Sequence, residues 1–199
     1  MGMLQKIAME NKTGRQIGVF SVCTSNQLVI RAALRHAGKR GYPLVLEATS
    51  NQCNQFGGYT GMTPKDYMDM VHHLVEEEGC PASQLILGGD HLGPLVSCHK
   101  PEREAMKDAA DMIRAYAAAG FGKIHIDTSM KVGDDDAHLR LPDEVIASRW
   151  HRRSAPAARR SWRLWCGRPA AHCLMRNSRC WWSAARYRSP AAAWCMRTV

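Results

Sequence analysis

PLVLEATS, residues 43–50, and KIHIDTSM, residues 123–130, are the two stretches that decide the fold. Each is a short apolar run of strand length whose later residues alternate between apolar and polar. Glu47 and Thr49 share one face of the first stretch, because successive side chains of a strand point to opposite faces. The same alternation in the second stretch places four polar side chains on one face: Lys123, His125, Asp127 and Ser129. Polar groups near the C-terminal end of one face favour a barrel interior over a strand buried between two helix layers.

The rest of the first 148 residues alternates between strands and helices. Apolar runs at residues 17–25 and 84–94 are the other predicted strands. Asn26 and Thr63, the latter followed by proline, are suited to begin the intervening helices, and glycines are suited to end them. A further helix is predicted at residues 141–148. Repeated strand–helix pairs imply parallel strands with crossover helices. We therefore predict an α/β fold of (β/α)8-barrel type containing about the first four units, with an open doubly wound sheet as the alternative.

Charge is distributed unevenly along the chain. The 199 residues carry 27 Lys and Arg against 18 Asp and Glu, for a net charge of +9. Residues 149–199 contain 12 Arg and no Lys, Asp or Glu, so residues 1–148 carry 15 basic and 18 acidic side chains, a net of −3. The basic character that would indicate a nucleic-acid partner therefore belongs to the C-terminal segment alone.

Several classes of protein lack support in the sequence. There is no apolar run of the roughly 20 residues that cross a bilayer, and the N-terminus lacks the pattern of a signal peptide. Cys23, Cys53, Cys80 and Cys98 are widely spaced, which favours a reducing, cytoplasmic setting over a disulfide framework or zinc ribbon. No GxGxxG, Walker A or GxSxG motif is present, so a kinase or another nucleotide-binding enzyme has no local support.

Residues capable of chemistry gather at the predicted C-terminal ends of the strands. In GGDHLGP, residues 88–94, the glycines allow a tight turn, and Asp90 and His91 follow them. Glu47, His125 and Asp127 are expected at matching heights on neighbouring strands. Such a set can bind a divalent metal ion or transfer a proton next to a carbonyl group. The alternative is structural, with each buried histidine a hydrogen-bond partner and Asp90 a helix cap.

The loop SNQCNQFGGYTGMTP, residues 50–64, is the second candidate region. Asn51, Gln52 and Gln55 offer amide groups suited to sugar hydroxyls, and Gly57 and Gly58 allow a ligand to approach the backbone. Two residues of the fourth strand complete the predicted substrate contacts: Lys123 and Ser129. A polar connector without a ligand is the alternative for this loop.

These motifs identify a resemblance. The segments VLEATSNQCNQFGGYTGMTPKDY, ILGGDHLGP and AGFGKIHIDTSM closely resemble the Z-type subunit of class II D-tagatose-1,6-bisphosphate aldolase, over residues 14–146. The resemblance implies a TIM barrel. It also implies a non-catalytic subunit that supports the activity and stability of a catalytic Y-type subunit in galactitol or N-acetylgalactosamine catabolism.

The resemblance implies a second function as well. Some similar proteins look like metal-dependent 4-epimerases of tagatose 6-phosphate or related ketoses, which implies a sugar-phosphate ligand and a divalent metal ion such as zinc. Asp90 and His91 resemble the Asp-His pair of class II aldolases, which implies an acid–base role for Asp90 and metal ligation by His91. We group Asp90, Asp127 and Glu47 as catalytic candidates, and His91 and His125 as metal ligands. The departure from the family at LVSCHK, residues 95–100, lies close to this pair.

The C-terminal segment does not resemble the family. We divide the chain into a half-barrel at residues 1–147 and a disordered tail at residues 148–199, whose Arg-, Trp- and Ala-rich composition is typical of GC-rich DNA translated out of frame. RYRSP, residues 186–190, can be encoded so that a one-base shift reads Gly-Thr-Glu-Val-Pro, a segment of the family at about this distance. A nucleic-acid-binding arm and a membrane-surface helix are weaker alternatives. We expect the truncation to cripple the family's function.

Overall fold

The structure is a computed structural model that describes residues 3–127, 130–136 and 149–150. The main elements of this part of the chain are four α-helices and four strands. The helices are α1 (Met3–Lys12), α2 (Gln27–Arg40), α3 (Pro64–Glu77) and α4 (Glu102–Ala119). The strands are β1 (Phe20–Cys23), β2 (Leu44–Thr49), β3 (Leu85–Leu92) and β4 (Lys123–Ile126).

Local signals in the sequence explain where the helices begin and end. Asn26 accepts hydrogen bonds from the backbone N–H groups of Leu28 and Val29, which would otherwise be unsatisfied at the start of α2. Thr63 and Asp66 form a reciprocal capping box at the start of α3. Gly41 and Gly120 end α2 and α4 in the left-handed conformation, which glycine adopts without steric cost.

All four strands are parallel and pair in the order β1-β2-β3-β4. This order follows the chain without reversal, whereas a doubly wound sheet changes direction after its first few strands. The predicted α/β class is confirmed, and the sequential order is that of consecutive units of a (β/α)8 barrel.

The core lies between the sheet and helices α2, α3 and α4. Leu44, Leu46 and Ala48 of β2 belong to this cluster. The alternate residues Val45, Glu47 and Thr49 therefore lie on the opposite face, which corresponds to a barrel interior. Large rings fill the centre of the core: Tyr67, Tyr116 and Phe121 are fully buried. Tyr116 and Phe121 meet edge to face, with ring centroids 4.6 Å apart.

Two regions differ from the sequence-based expectation. Helix α1 was not predicted, since no capping residue marks its start, yet Leu4 is buried. Arg149 and Trp150, which composition assigned to the tail, are helical and buried against the body. The predicted helix at 141–148 and the tail from 151 to 199 lie outside the described residues. Among the helices described, none has the length and apolar content needed to cross a membrane.

Candidate functional site

The candidate site lies at the C-terminal ends of the strands. The sheet register places Glu47 beside Gly88 and Gly88 beside Lys123, so that three neighbouring strands contribute at one level. One level further along, Thr49 lies beside Asp90. Since the carboxyl ends of parallel strands meet at the same edge, Glu47, Lys123 and His125, which were predicted from alternation, come together there.

Glu47 and Lys123 form a buried ion pair. Only 4% of Glu47 and 0% of Lys123 is exposed, and the ammonium contacts Glu47 Oε1 directly. The Ser21 hydroxyl of β1 donates to the other carboxylate oxygen, Oε2. Gly88 makes room for the pair, because a Cβ there would lie 3.0 Å from both Glu47 Oε1 and Lys123 Cδ. Lys123 Nζ also lies 3.7 Å from Asp90 Oδ1.

Asp90 lies between two imidazoles. His125 Nδ1 is 2.7 Å from Asp90 Oδ1, and His91 Nδ1 is 3.0 Å from Oδ2. Burial opposes the charge of Asp90, but the hydrogen bonds from His125 and His91, together with the Lys123 ammonium, hold the pKa of the carboxyl group well below its usual range. An ionised carboxylate only accepts hydrogen bonds, so we expect both Nδ1 atoms to carry the hydrogen when Asp90 is charged.

An irregularity in β3 places His91. Pairing with β4 shifts between Gly89 and Leu92, and His91 has a φ of 50°, which is unusual for a residue other than glycine. Bulges of this kind redirect side chains beside functional sites. The two imidazole rings consequently lie close together, tilted by 53° with centroids 4.4 Å apart.

Asp90, His91 and His125 have the geometry of a metal-binding group. Each offers one ligand atom, and these atoms lie within 4.8 Å of one another. Two imidazoles and a carboxylate are ligands suited to Zn²⁺ and similar divalent ions. The predicted metal ligands His91 and His125 thus lie together, and the chemistry of the donor set fits the implied ion.

Cys23 lies next to this cluster, at the end of β1. Removal of water by the surrounding protein, followed by the negative charges of Asp90 and Glu47, raises the pKa of the Cys23 thiol to about 12. The thiolate is the reactive form of cysteine. Cys23 is therefore a neutral thiol at physiological pH and does not fit the role of nucleophile.

The glycine-rich loop between β2 and α3 is held by its own side chains. Gln52 Oε1 accepts from the Thr49 N–H, and Gln55 Nε2 donates to the Asp108 carbonyl at 2.9 Å. Asn54, another amide of this loop that the sequence offered for sugar hydroxyls, accepts from the N–H groups of Phe56 and Gly58. The Asn51 carbonyl accepts from the Tyr59 N–H, and Gly57 and Gly58 have positive φ values. These contacts give the polar residues structural partners, and their predicted sugar contacts stay predictions.

The remaining predicted residues follow β4. Asp127 is largely buried; its backbone N–H donates to the Leu92 carbonyl, and its own carbonyl accepts from the Trp150 indole at 3.1 Å. Ser129 lies outside the described residues. Sequence reasoning missed Ser21, although it precedes Cys23 by two positions and therefore shares its face of β1.

The fold and the site define an α/β protein of barrel type with an acid–imidazole cluster at the strand ends. The chain belongs to the D-tagatose-1,6-bisphosphate aldolase subunit GatZ/KbaZ-like family, whose model matches residues 4–168.

Similar proteins agree with this assignment. A D-tagatose-1,6-bisphosphate aldolase subunit GatZ from Salmonella heidelberg (strain SL476) is 47% identical over 146 residues, covering 73% of this chain and 34% of the relative. A subunit of the same name from Salmonella newport (strain SL254) is 49% identical over 136 residues, covering 68% of this chain and 32% of the relative. The chain therefore spans about a third of the length of these relatives.

A solved structure supports the fold. The crystal structure of a probable tagatose 6 phosphate kinase from Sinorhizobium meliloti 1021 superposes with a TM-score of 0.64 at 46% sequence identity. The match covers 68% of this chain and 35% of that one.

Proposed function

We propose that this chain supplies the N-terminal part of a class II D-tagatose-1,6-bisphosphate aldolase subunit. In this role it supports the activity and stability of a separate catalytic Y-type subunit in galactitol or N-acetylgalactosamine catabolism. The observation that carries the proposal is the family match over residues 4–168 together with relatives that bear the name of this subunit.

An aldolase assay with and without the chain tests this role. The catalytic subunit is purified alone and mixed with increasing amounts of the 199-residue chain, and cleavage of D-tagatose 1,6-bisphosphate is followed over time. We expect higher activity and slower thermal inactivation in the mixture. We also expect a smaller effect than a relative of full length produces, since this chain covers about a third of such relatives. Identical activity and inactivation rates with and without either protein would contradict the proposal.

A second candidate is a metal-dependent ketose-phosphate 4-epimerase, favoured by the Asp90–His91–His125 cluster. His91 and His125 would hold the divalent ion, with the Asp90 carboxylate beside them. When bound, the ion supplies Lewis acidity to a substrate carbonyl or hydroxyl oxygen. Asp90 and Asp127 would be the carboxylates that accept and return a proton.

The two functions respond differently to the same substitution. His91→Gln removes a proposed ligand whose side chain is largely exposed, so the fold should tolerate it. We expect it to abolish stand-alone epimerisation of tagatose 6-phosphate while leaving the effect on the catalytic subunit intact. His73→Gln, on the surface of α3, is the matched control and should change neither activity. Loss of the effect on the aldolase, with no epimerisation by any variant, would overturn the epimerase and place His91 in the subunit contact.

A further inference from the structure

We propose that Glu47 and Lys123 are positioning residues, and that Glu47 restrains the Lys123 ammonium so that Asp90 remains bonded to the two imidazoles. Only the proton-transfer role of Asp90 rests on the proposed epimerase function. The restraint itself is a property of the strands and is testable without substrate or metal. It gives Glu47 and Lys123 a different role from the acid–base and substrate contacts predicted from the sequence.

Burial argues against direct contact of this pair with a substrate. Glu47 and Lys123 are 4% and 0% exposed, and each has partners already. Glu47 accepts from Lys123 at one oxygen and from Ser21 at the other, so that both oxygens of the carboxylate are engaged. A group acting on substrate needs an accessible atom, and neither side chain presents one at the strand ends.

The distances from Lys123 and His125 to Asp90 indicate how the Glu47–Lys123 pair affects the hydrogen bonds of Asp90. Lys123 Nζ lies 3.7 Å from Asp90 Oδ1, beyond hydrogen-bond length, whereas His125 Nδ1 lies 2.7 Å from the same oxygen. An ammonium is the stronger donor for a carboxylate in a buried setting. Without Glu47, Lys123 would therefore move onto Oδ1 and compete with His125. With Glu47 in place, the ammonium stays 3.7 Å from Oδ1 and leaves the oxygens of Asp90 to the imidazoles.

Gly88 is the third part of the arrangement. It lies between Glu47 and Lys123 in the register, and a Cβ there would be 3.0 Å from Glu47 Oε1 and 3.1 Å from Glu47 Cγ. Any other residue would force the pair apart or displace it toward Asp90. The ion pair crosses β3 only because this position has no side chain.

The test reads the histidine tautomers by nitrogen-15 NMR of the 199-residue chain, without added metal. The pH is set well above the ordinary imidazole pKa of about 6.5. In the unaltered chain both imidazoles should carry hydrogen on Nδ1, because Asp90 accepts from both. Because the chain has nine histidines, His91→Gln and His125→Gln are each used to assign the signals of the residue they remove.

Substitutions of the pair give opposite outcomes. Glu47→Gln should release Lys123. The nitrogen-15 signals of His125 should then no longer show hydrogen on Nδ1, which we call the loss of the Nδ1–H signature. The double variant Glu47→Gln/Lys123→Met removes the competing ammonium and should restore that signature. A purely structural role would lower stability without moving the tautomer. Retention of the Nδ1–H signature in Glu47→Gln, or failure of the double variant to restore it, would overturn the proposal.

A substitution at Gly88 tests the same arrangement while both charges of the ion pair stay in place. Gly88→Ala should displace the pair and also cost His125 its Nδ1–H signature. Gly122→Ala is the control, because a Cβ there meets its nearest neighbour, Ile86 Cγ2, at an ordinary 3.8 Å. An unaltered His125 signature in folded Gly88→Ala counts against the proposal. Absence of epimerase turnover in every protein, with the expected NMR pattern, would instead dismiss the second function and leave the positioning role intact.

Discussion

Gly58 shows how much one position contributes to the loop beside the site. Its φ is 56°, and a Cβ there would lie 2.5 Å from the Gln52 carbonyl oxygen and 2.7 Å from that of Asn51. We expect Gly58→Ala to combine two costs. The left-handed backbone costs roughly 1–2 kcal/mol for a residue with a Cβ, and the contact with two fixed carbonyl groups adds to it. Urea unfolding followed by circular dichroism measures the loss.

Gly41→Ala separates these two costs. Gly41 also has a positive φ, 67°, but a Cβ there would have no neighbour within 4 Å. It should show the backbone cost alone, and Gly58→Ala should be less stable than Gly41→Ala by about 1 kcal/mol or more. Equal losses in the two variants would mean that the loop moves to accept a methyl group.

The contact between Arg149 and Asp135 gives a pH-dependent prediction. The Arg149 guanidinium donates to both Asp135 oxygens, and these hydrogen bonds hold the pKa of Asp135 below its usual range although burial opposes them. A carboxyl group with a lowered folded pKa contributes stability above its unfolded pKa of about 3.9, and this is lost as pH falls toward the folded pKa. Arg149→Met should therefore cost about 2 kcal/mol near neutral pH, and less below about pH 4.

Urea unfolding at a series of pH values measures this difference. Lys107→Met is the control, because it removes an exposed i,i+4 pair with Asp111 on α4 and should change the unfolding curve little. A difference between the unaltered chain and Arg149→Met that stays constant with pH would show that Arg149 stabilises the chain through packing rather than through the charge of Asp135.

At the scale of elements, two tyrosines attach the loops to the helices. Tyr67 of α3 donates its hydroxyl to the Thr24 carbonyl at 2.8 Å, and Tyr116 of α4 donates to the Cys53 carbonyl at 2.9 Å. Both hydroxyl groups are buried, so that their loss leaves a buried carbonyl without its donor. The helices thereby fix the ends of β1 and β2 from which the site is built.

Tyr116→Phe tests this attachment with the ring retained. Loss of one buried hydrogen bond should cost about 1 kcal/mol, and hydrogen exchange should accelerate at the amides of residues 51–62. Tyr59→Phe removes the hydroxyl of a tyrosine that is 71% exposed and should alter neither quantity. Unchanged exchange in the loop of Tyr116→Phe would show that the loop's own hydrogen bonds hold it without α4.

The elements also show what the sequence can predict. Helix starts at Asn26 and Thr63 were correct because capping depends on residues two or three positions apart. The grouping of Glu47, Lys123 and His125 followed from strand alternation. The bulge at His91 and the bond from Ser21 to Glu47 were not predicted, because both arise from the register between strands, which alternation within one strand leaves open.

At the scale of the whole molecule, the described sheet has an exposed first edge. β1 pairs only with β2 in the described part of the chain, and Phe20 on this strand is 63% exposed. Leu28 and Val29 at the start of α2 are exposed as well, at 76% and 46%. A strand edge with apolar side chains beside it is prone to pair with another chain.

We therefore predict that the 199-residue chain self-associates through β1 as its concentration rises. Phe20→Lys places a charge on the edge strand, which opposes pairing between chains, and should lower the mean mass measured by sedimentation velocity at equal concentration. Tyr59→Lys introduces the same charge at an equally exposed aromatic on the loop after β2 and should leave the mass unchanged. Equal masses for Phe20→Lys and the unaltered chain would exclude the edge as the contact. A lower mass in Tyr59→Lys alone would place the contact at the loop beside the candidate site, where association would also restrict access to Asp90.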